Sequence, residues 1–107
     1  MNIYNTSDIA GYRIVESLGL VRGNTIRAKH IGNDILAALR NLVGGEIKEY
    51  TTMLTEARNQ ALQRMMQEAE AKGADAVVNV RFVTSQVMSG AAELLAYGTA
   101  VKIEPLR

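Results

Sequence analysis

Apolar residues recur every three or four positions through the middle of the chain, which is the spacing of an α-helix buried along one side. The pattern predicts one long helix over about residues 46–72, and Gly73 suits its C-terminal cap. Three of the seven residues in the stripe are alanines, so we expect another element to approach the helix closely. The stripe consists of Ile47, Tyr50, Leu54, Ala57, Ala61, Met65 and Ala69.

A shorter run with helical spacing precedes this stripe. It begins after Asn33, a residue type favoured at helix N-caps, and it ends at the glycine pair Gly44–Gly45. The run predicts a second, shorter helix over about residues 33–43.

Before the helices, apolar and polar residues alternate with the two-residue period of a β-strand. A short strand at residues 2–5 and a longer one from Tyr12 onward are predicted. Gly19 is expected to mark a bulge, and Gly23–Asn24 to form a turn between further strand pieces.

After the long helix, the alternation returns over residues 76–83 and 93–103. A turn near Ser89–Gly90 would join these strands into an antiparallel hairpin. The whole pattern predicts an α+β fold, with an antiparallel sheet and the long helix across one face. Because the strands are apolar on both sides, we expect a neighbouring subunit to cover the second face.

The composition narrows the classes of function. The 107 residues contain no repeat or linker, so we expect a single domain over 1–107. The absence of cysteine excludes disulfide, thiolate-metal and cysteine-nucleophile chemistry, and one histidine excludes a multi-histidine site within one subunit.

The charge and hydropathy patterns argue against two kinds of partner. A net charge of +1 with dispersed arginines argues against a nucleic-acid partner. No apolar stretch is long enough to cross a bilayer, so no membrane partner is expected. The start of the chain lacks the pattern of a signal peptide, and a cytoplasmic location is expected.

Several short motifs occur in a fixed order over roughly residues 10–103. They are Gly32-Asn33-Asp34-Ile35, Arg40-Asn41-Leu42-Val43-Gly44-Gly45-Glu46, Glu49-Tyr50, Glu56-Ala57-Arg58, Ala61-Leu62, Arg64-Met65, Gly73-Ala74-Asp75-Ala76-Val77, Arg81-Phe82 and Tyr97-Gly98-Thr99-Ala100-Val101. Together they resemble the motifs of the YbjQ-like family of small bacterial and archaeal proteins. The resemblance implies a dodecin-like subunit architecture and a homopentamer. The family is labelled "putative heavy-metal-binding", and the resemblance extends this label to the chain as an expectation.

The candidate metal ligands in this sequence are one imidazole and several carboxylates. His30 lies four residues before Asp34, and Glu46 and Glu49 are spaced to share one helix face. The alternatives are that His30 is a loop histidine without a ligand role, and that the glutamates interact with the positive end of the helix dipole. If a metal ion is the cofactor, its site is rich in oxygen or is assembled around His30 from several subunits.

Polar residues within otherwise apolar elements form a second group of candidates. Buried charges are retained only when paired, so we expect Arg81 to meet a glutamate of its own or a neighbouring subunit. Such a cluster would be either a salt bridge that fixes the register of an interface or a polar pocket for a small anion. The group consists of Glu56, Arg58, Asn79, Arg81 and Glu93.

These observations favour a homo-oligomer, a pentamer by the resemblance, that binds a small ligand or a metal ion. The alternatives are a scaffolding oligomer without a ligand and an enzyme. The sequence contains no nucleophile elbow, and catalysis is the least favoured class.

Overall fold

The computed structural model describes residues 1–27, 48–88 and 91–106. Within these ranges the chain forms four strands and one helix. No helix in the described part is long and apolar enough to cross a bilayer. The elements are β1 (Asn2–Ile3), β2 (Tyr12–Arg27), α1 (Lys48–Ala71), β3 (Ala76–Met88) and β4 (Ala91–Pro105).

The strands form one mixed sheet in the order β1-β3-β4-β2. β4 pairs antiparallel with both β2 and β3, whereas β1 runs parallel to β3. The expectation of a purely antiparallel sheet is therefore wrong, because the described sheet is mixed. A two-residue strand is too short for its alternation to reveal its direction, and a parallel partner needs a long crossover, which β2 and α1 supply here.

The predicted short helix over about 33–43 lies outside the described residues, as does the predicted turn near Ser89–Gly90. The part of the chain that the structure describes has α1 as its one helix. The described residues thus do not support the two-helix architecture, and most of them lie in strands.

The helix packs across the sheet along its small residues. Ala57, Ala61, Met65 and Ala69 are fully buried, which confirms the central part of the predicted stripe. Ile47 lies outside the described residues. At the other end, the amide of Gly73 donates to the Glu70 carbonyl at 2.9 Å. Gly73 has a left-handed φ of 79°. Both features confirm the predicted cap.

The close approach to the helix occurs at Gly23. A Cβ at this position would overlap the backbone of Ala61 and Met65, so only glycine fits beneath α1. The predicted turn at Gly23–Asn24 is wrong, because β2 continues through it. Gly19 does mark a bulge, with a φ of 95° and a register shift beside it.

The opposite face of the sheet is covered at one end by residues 1–11, which we call the N-terminal segment. Ile9 is buried there against Ala76, Val78 and Val101. The other end of this face is covered by no described element, and it leads to the candidate site.

Candidate functional site on the open face and edges of the sheet

The uncovered end of the sheet carries the strand residues that alternate with those beneath α1. We call this surface the open face. Because side chains alternate across a strand, its residues lie opposite the buried Val21 and Ala96. The open face comprises Leu20, Arg22, Asn24 and Ile26 of β2, Glu93, Leu95, Tyr97 and Thr99 of β4, and Arg81, Val83 and Ser85 of β3.

One row across the open face combines two arginines with a tyrosine. Tyr97 on the central strand pairs with Arg22 on one side and Arg81 on the other. Directly paired residues on one face are close enough for their side chains to interact. The partly buried Tyr97 is thus flanked by two exposed arginines.

A bulge in β3 sets this alignment. The register of β3 against β4 shifts between Val78 and Arg81, and Asn79 within it adopts a left-handed φ of 56°. The N-terminal segment holds the bulge, because the amide of Asn79 donates to the Thr6 carbonyl at 2.9 Å and that of Val80 to the Tyr4 carbonyl at 3.0 Å.

The same segment anchors Arg81. Its Nη1 donates to the Asn5 carbonyl at 2.7 Å and to the Val80 carbonyl at 3.0 Å. Both hydrogen bonds use one nitrogen of the guanidinium. They hold the group beside the N-terminal segment, and its remaining N–H donors have no acceptor among the described residues.

The other polar candidates lie apart from this row. Glu93 accepts a hydrogen bond from Asn24 at 3.0 Å and lies opposite Ser85, two rows away from Tyr97 along β4. Glu56 and Arg58 are exposed on α1, which packs on the opposite side of the sheet. Within one chain the structure brings Asn79 and Arg81 together, but not the five residues as one cluster.

The candidate metal ligands lie mostly outside the described residues. This applies to His30, Asp34 and Glu46, and to the side chain of Glu49, whose backbone belongs to the first turn of α1. Among the residues that the structure does describe, no group of three or more His, Asp or Glu side chains is placed to hold a metal ion.

Both long edges of the sheet lack a described partner strand. Among the described strands, β2 pairs only with β4, and β3 pairs with β1 only at Ala76 and Val77. We call the outer side of β2, and that of β3 from residue 81 onward, the free edges, because no described strand pairs there. Within the described strands, the large apolar side chains that are strongly exposed all lie on these two edges and none on β4. They are Tyr12, Val15, Leu20 and Ile26 on β2, and Phe82 and Val83 on β3.

A groove of about 630 Å³ lies beside the free edge of β3. Its walls come from the N-terminal segment, α1 and β3, and they include Tyr4, Leu62 and Phe82. Arg81 also lines this groove, so its side chain lies at the outer edge of β3.

The chain matches the sequence profile of a known protein family. The YbjQ-like family profile, described as "Putative heavy-metal-binding", matches residues 1–104. The chain belongs to this family. The match confirms the resemblance found in the sequence motifs.

Relatives in this family carry the name UPF0145. One from Dehalococcoides mccartyi is 64% identical over 104 residues, with 97% of this chain and 100% of the relative covered. One from Thermotoga maritima is 60% identical over 106 residues, with 99% and 100% covered. One from Archaeoglobus fulgidus is 63% identical over 101 residues, with 94% of each covered.

A solved structure supports the fold. The crystal structure of a protein of unknown function in the DUF74 family, from Pediococcus pentosaceus, superposes with a TM-score of 0.66. It covers 97% of this chain and 98% of that chain at 19% identity. At this identity the likeness concerns the fold alone.

The sequence pattern does not single out Arg22, and it leaves Tyr97 open as either a pocket wall or a core residue. Their alternation showed that each lies on one side of a strand, but nothing local to either residue indicates which residue faces it on the next strand. A register prediction for the hairpin would have aligned Arg81 with Tyr97 only if it had included the bulge at Asn79.

Proposed function

We propose that the protein is a subunit of a homo-oligomer that binds a small ligand or a metal ion where subunits meet. Each subunit is one domain spanning residues 1–107. The observation that carries the proposal is the concentration of exposed apolar side chains on the two free sheet edges. Long unpaired edges with apolar side chains favour pairing with another strand, and natural proteins cover or charge them when they do not pair.

The two free edges are different surfaces, and this difference determines how copies of the chain would join. Pairing β2 of one copy with residues 81–86 of the next copy's β3 joins unlike surfaces, which is a head-to-tail contact. Head-to-tail contacts close into a ring when the rotation between copies allows it. The family resemblance favours five copies in that ring.

Two further features support an assembly. The radius of gyration is 17.3 Å. A compact domain of similar length has a radius of gyration of about 13 Å. The groove beside the β3 edge offers space for side chains of a strand that pairs there. If the β2 strand of a neighbouring copy paired there, it would form backbone hydrogen bonds with β3. It would also cover the exposed side chains of Phe82 and Val83.

The candidate ligands for a metal ion are His30, Asp34, Glu46 and Glu49. The family description supports this part of the proposal. A ring repeats each of these residues around its axis, so one imidazole per chain becomes several per assembly. Imidazole with carboxylate oxygen suits an ion such as Zn²⁺.

The assembly is tested by size-exclusion chromatography with light scattering. The wild-type protein is expected to elute as one multimer. Leu20→Lys on β2 or Val83→Lys on β3 should shift it towards the monomer, because a charge then enters the paired edge. The control is Leu106→Lys, because Leu106 is 61% exposed, similar to Leu20 at 56%, but follows the last strand. A monomeric wild-type protein would overturn the assembly.

Metal binding is tested by dialysis against Zn²⁺ followed by elemental analysis. The wild-type protein should retain zinc in a fixed ratio to chains, and His30→Ala should lose most of it. Glu70→Gln, an exposed change on α1, should retain the wild-type ratio. A stable multimer that retains no metal would support the scaffold alternative and exclude zinc as the ligand.

A further inference from the structure

We infer that Arg64 and Lys72 of α1 protect the outer edge of β2 against pairing with another strand. Each side chain donates a hydrogen bond to a β2 carbonyl that a pairing strand would use, and we call these two bonds the edge contacts. A strand of a second copy pairs there only after the edge contacts break. The inference rests on the proposed assembly for the identity of that partner, and it adds a contact within the chain that limits the assembly.

The edge contacts join one flank of α1 to two positions of β2. Arg64 Nη1 donates to the Asn24 carbonyl at 2.6 Å, and Lys72 Nζ donates to the Leu20 carbonyl at 3.2 Å. Eight residues of a helix span about 12 Å, and four residues of a strand span about 13 Å. The two cations are therefore spaced like the two carbonyls, and each reaches its own acceptor.

Both carbonyls point away from β4. In an antiparallel pair, the backbone groups of successive residues face the partner strand and the opposite side in turn. The amide of Leu106 donates to the Gly11 carbonyl at 2.9 Å, so even-numbered positions at the end of β4 bond to β2. β4 keeps this alternation, because both register shifts of the pair add a residue to β2. At positions 94, 96 and 98 the partners are odd-numbered residues of β2, so the backbone groups of Leu20 and Asn24 face outward.

Outward carbonyls are the acceptors that a further strand needs, because a strand that joins a sheet edge donates its amides to them. Natural sheets protect such edges with charged side chains, lysine above all. The edge contacts occupy the acceptors of Leu20 and Asn24. The side chains of Leu20 and Ile26 are each 56% exposed along the same stretch. This edge thus combines apolar side chains that favour pairing with two hydrogen bonds that oppose it.

The position of α1 explains why the edge contacts form at β2 and how they break. The helix packs mainly on β2 and far less on β3, and Gly23 lets its backbone lie directly on the strand. Arg64 and Lys72 share one flank of the helix, because they are two steps of four residues apart. Both side chains are exposed, so an incoming strand displaces them without opening the core at Ala61 and Met65.

The experiment replaces each cation with methionine, which keeps an apolar stem but has no N–H donor. Arg64→Met, Lys72→Met and the double variant are compared with the wild-type protein by sedimentation velocity over a dilution series. Urea is added at one fixed concentration if dilution alone does not dissociate the wild-type multimer. We expect the double variant to dissociate at a concentration about tenfold lower or less, because no hydrogen bond has to break before a strand pairs. Each single variant should lie between the two.

Two controls show whether the gain comes from the β2 edge. Arg58→Met removes the same charge from another exposed position of α1, and it should leave the dissociation concentration unchanged. Adding Leu20→Lys to the double variant should abolish the gain. If the edge contacts served only to hold α1 on the sheet, the double variant would have a lower Tm by circular dichroism and associate no more strongly than the wild-type protein. That result overturns the inference.

The outcomes also separate this inference from the proposed assembly. A wild-type protein that is monomeric at every concentration would overturn the assembly, whereas a double variant that then forms multimers would support the protective role of Arg64 and Lys72. A wild-type multimer whose double variant dissociates at the same or a higher concentration would support the assembly and overturn this role. Equal strengthening by Arg58→Met would overturn it as well, since the gain would then follow from net charge.

Discussion

Gly23 shows how one residue can set the distance between two layers. Its missing side chain is the space that the backbone of α1 occupies, at Ala61 and Met65. A sequence pattern reports only that a glycine interrupts the strand, and a turn is the common reason for that. The tertiary structure shows the actual reason for a glycine at this position, which is that the helix packs directly over it.

Gly23→Ala should therefore destabilise the fold by about 3 kcal/mol, since overpacking against backbone leaves no flexible side chain to move aside. Urea unfolding at a fixed protein concentration measures the change. Adding Ala61→Gly should not rescue it, because the overlap involves backbone atoms.

The control for this change is Gly11→Ala, where an added Cβ meets nothing within 4 Å. Only the positive φ is penalised there, by about 1 kcal/mol. A Gly23→Ala protein as stable as the Gly11→Ala protein would contradict the packing described.

The helix and the strands were predicted with different success, for physical reasons. The stripe through Ala57, Ala61, Met65 and Ala69 repeats over several turns, so its period is unambiguous. β1 is two residues long, and its pairing with β3 depends on contacts distant in sequence. The turn expected at Gly23–Asn24 failed because glycine has more than one structural use.

Met65 is the largest fully buried side chain of the chain's described core. Met65→Ala should cost about 2–5 kcal/mol in the free energy of unfolding, because it leaves a cavity between α1 and the sheet. Gln67→Ala, two residues further along and exposed, should change it by less than about 0.5 kcal/mol. Thermal or chemical unfolding followed by circular dichroism compares them. Similar losses for both variants would mean that Met65 is not held in this core.

For the whole molecule, the two free edges predict that thermal stability depends on the protein concentration. A protein that folds and assembles together becomes more stable as its concentration rises. A tenfold increase should raise the Tm of the wild-type protein by about 4–8 °C, on the basis of about 1 kcal/mol per chain. Scanning calorimetry at several concentrations measures this.

The edge variant Leu20→Lys should show a lower Tm that no longer depends on concentration, whereas Leu106→Lys should behave as the wild-type protein does. A concentration-independent Tm for the wild-type protein, together with a monomeric mass, would leave the apolar edges without a partner copy.

Some candidate site residues can be recognised within one element, and others only once the strands are paired. Arg81 and Asn79 could be singled out as polar residues in an apolar strand, because that contrast is visible within one element. Their neighbours Arg22 and Tyr97 could not, because each becomes part of the row only through pairing between strands.

Local patterns were enough to establish which segments are helix or strand over most of the described chain, which side of α1 is buried, and that no thiolate can serve a metal ion. The period of burial is read along one element, so such properties need no knowledge of the neighbours. The parallel pairing of β1, the reason for Gly23 and the alignment of Arg22, Tyr97 and Arg81 came from the folded chain. Strand order and register depend on contacts between distant residues, and an alternating pattern is compatible with many registers until the strands are paired.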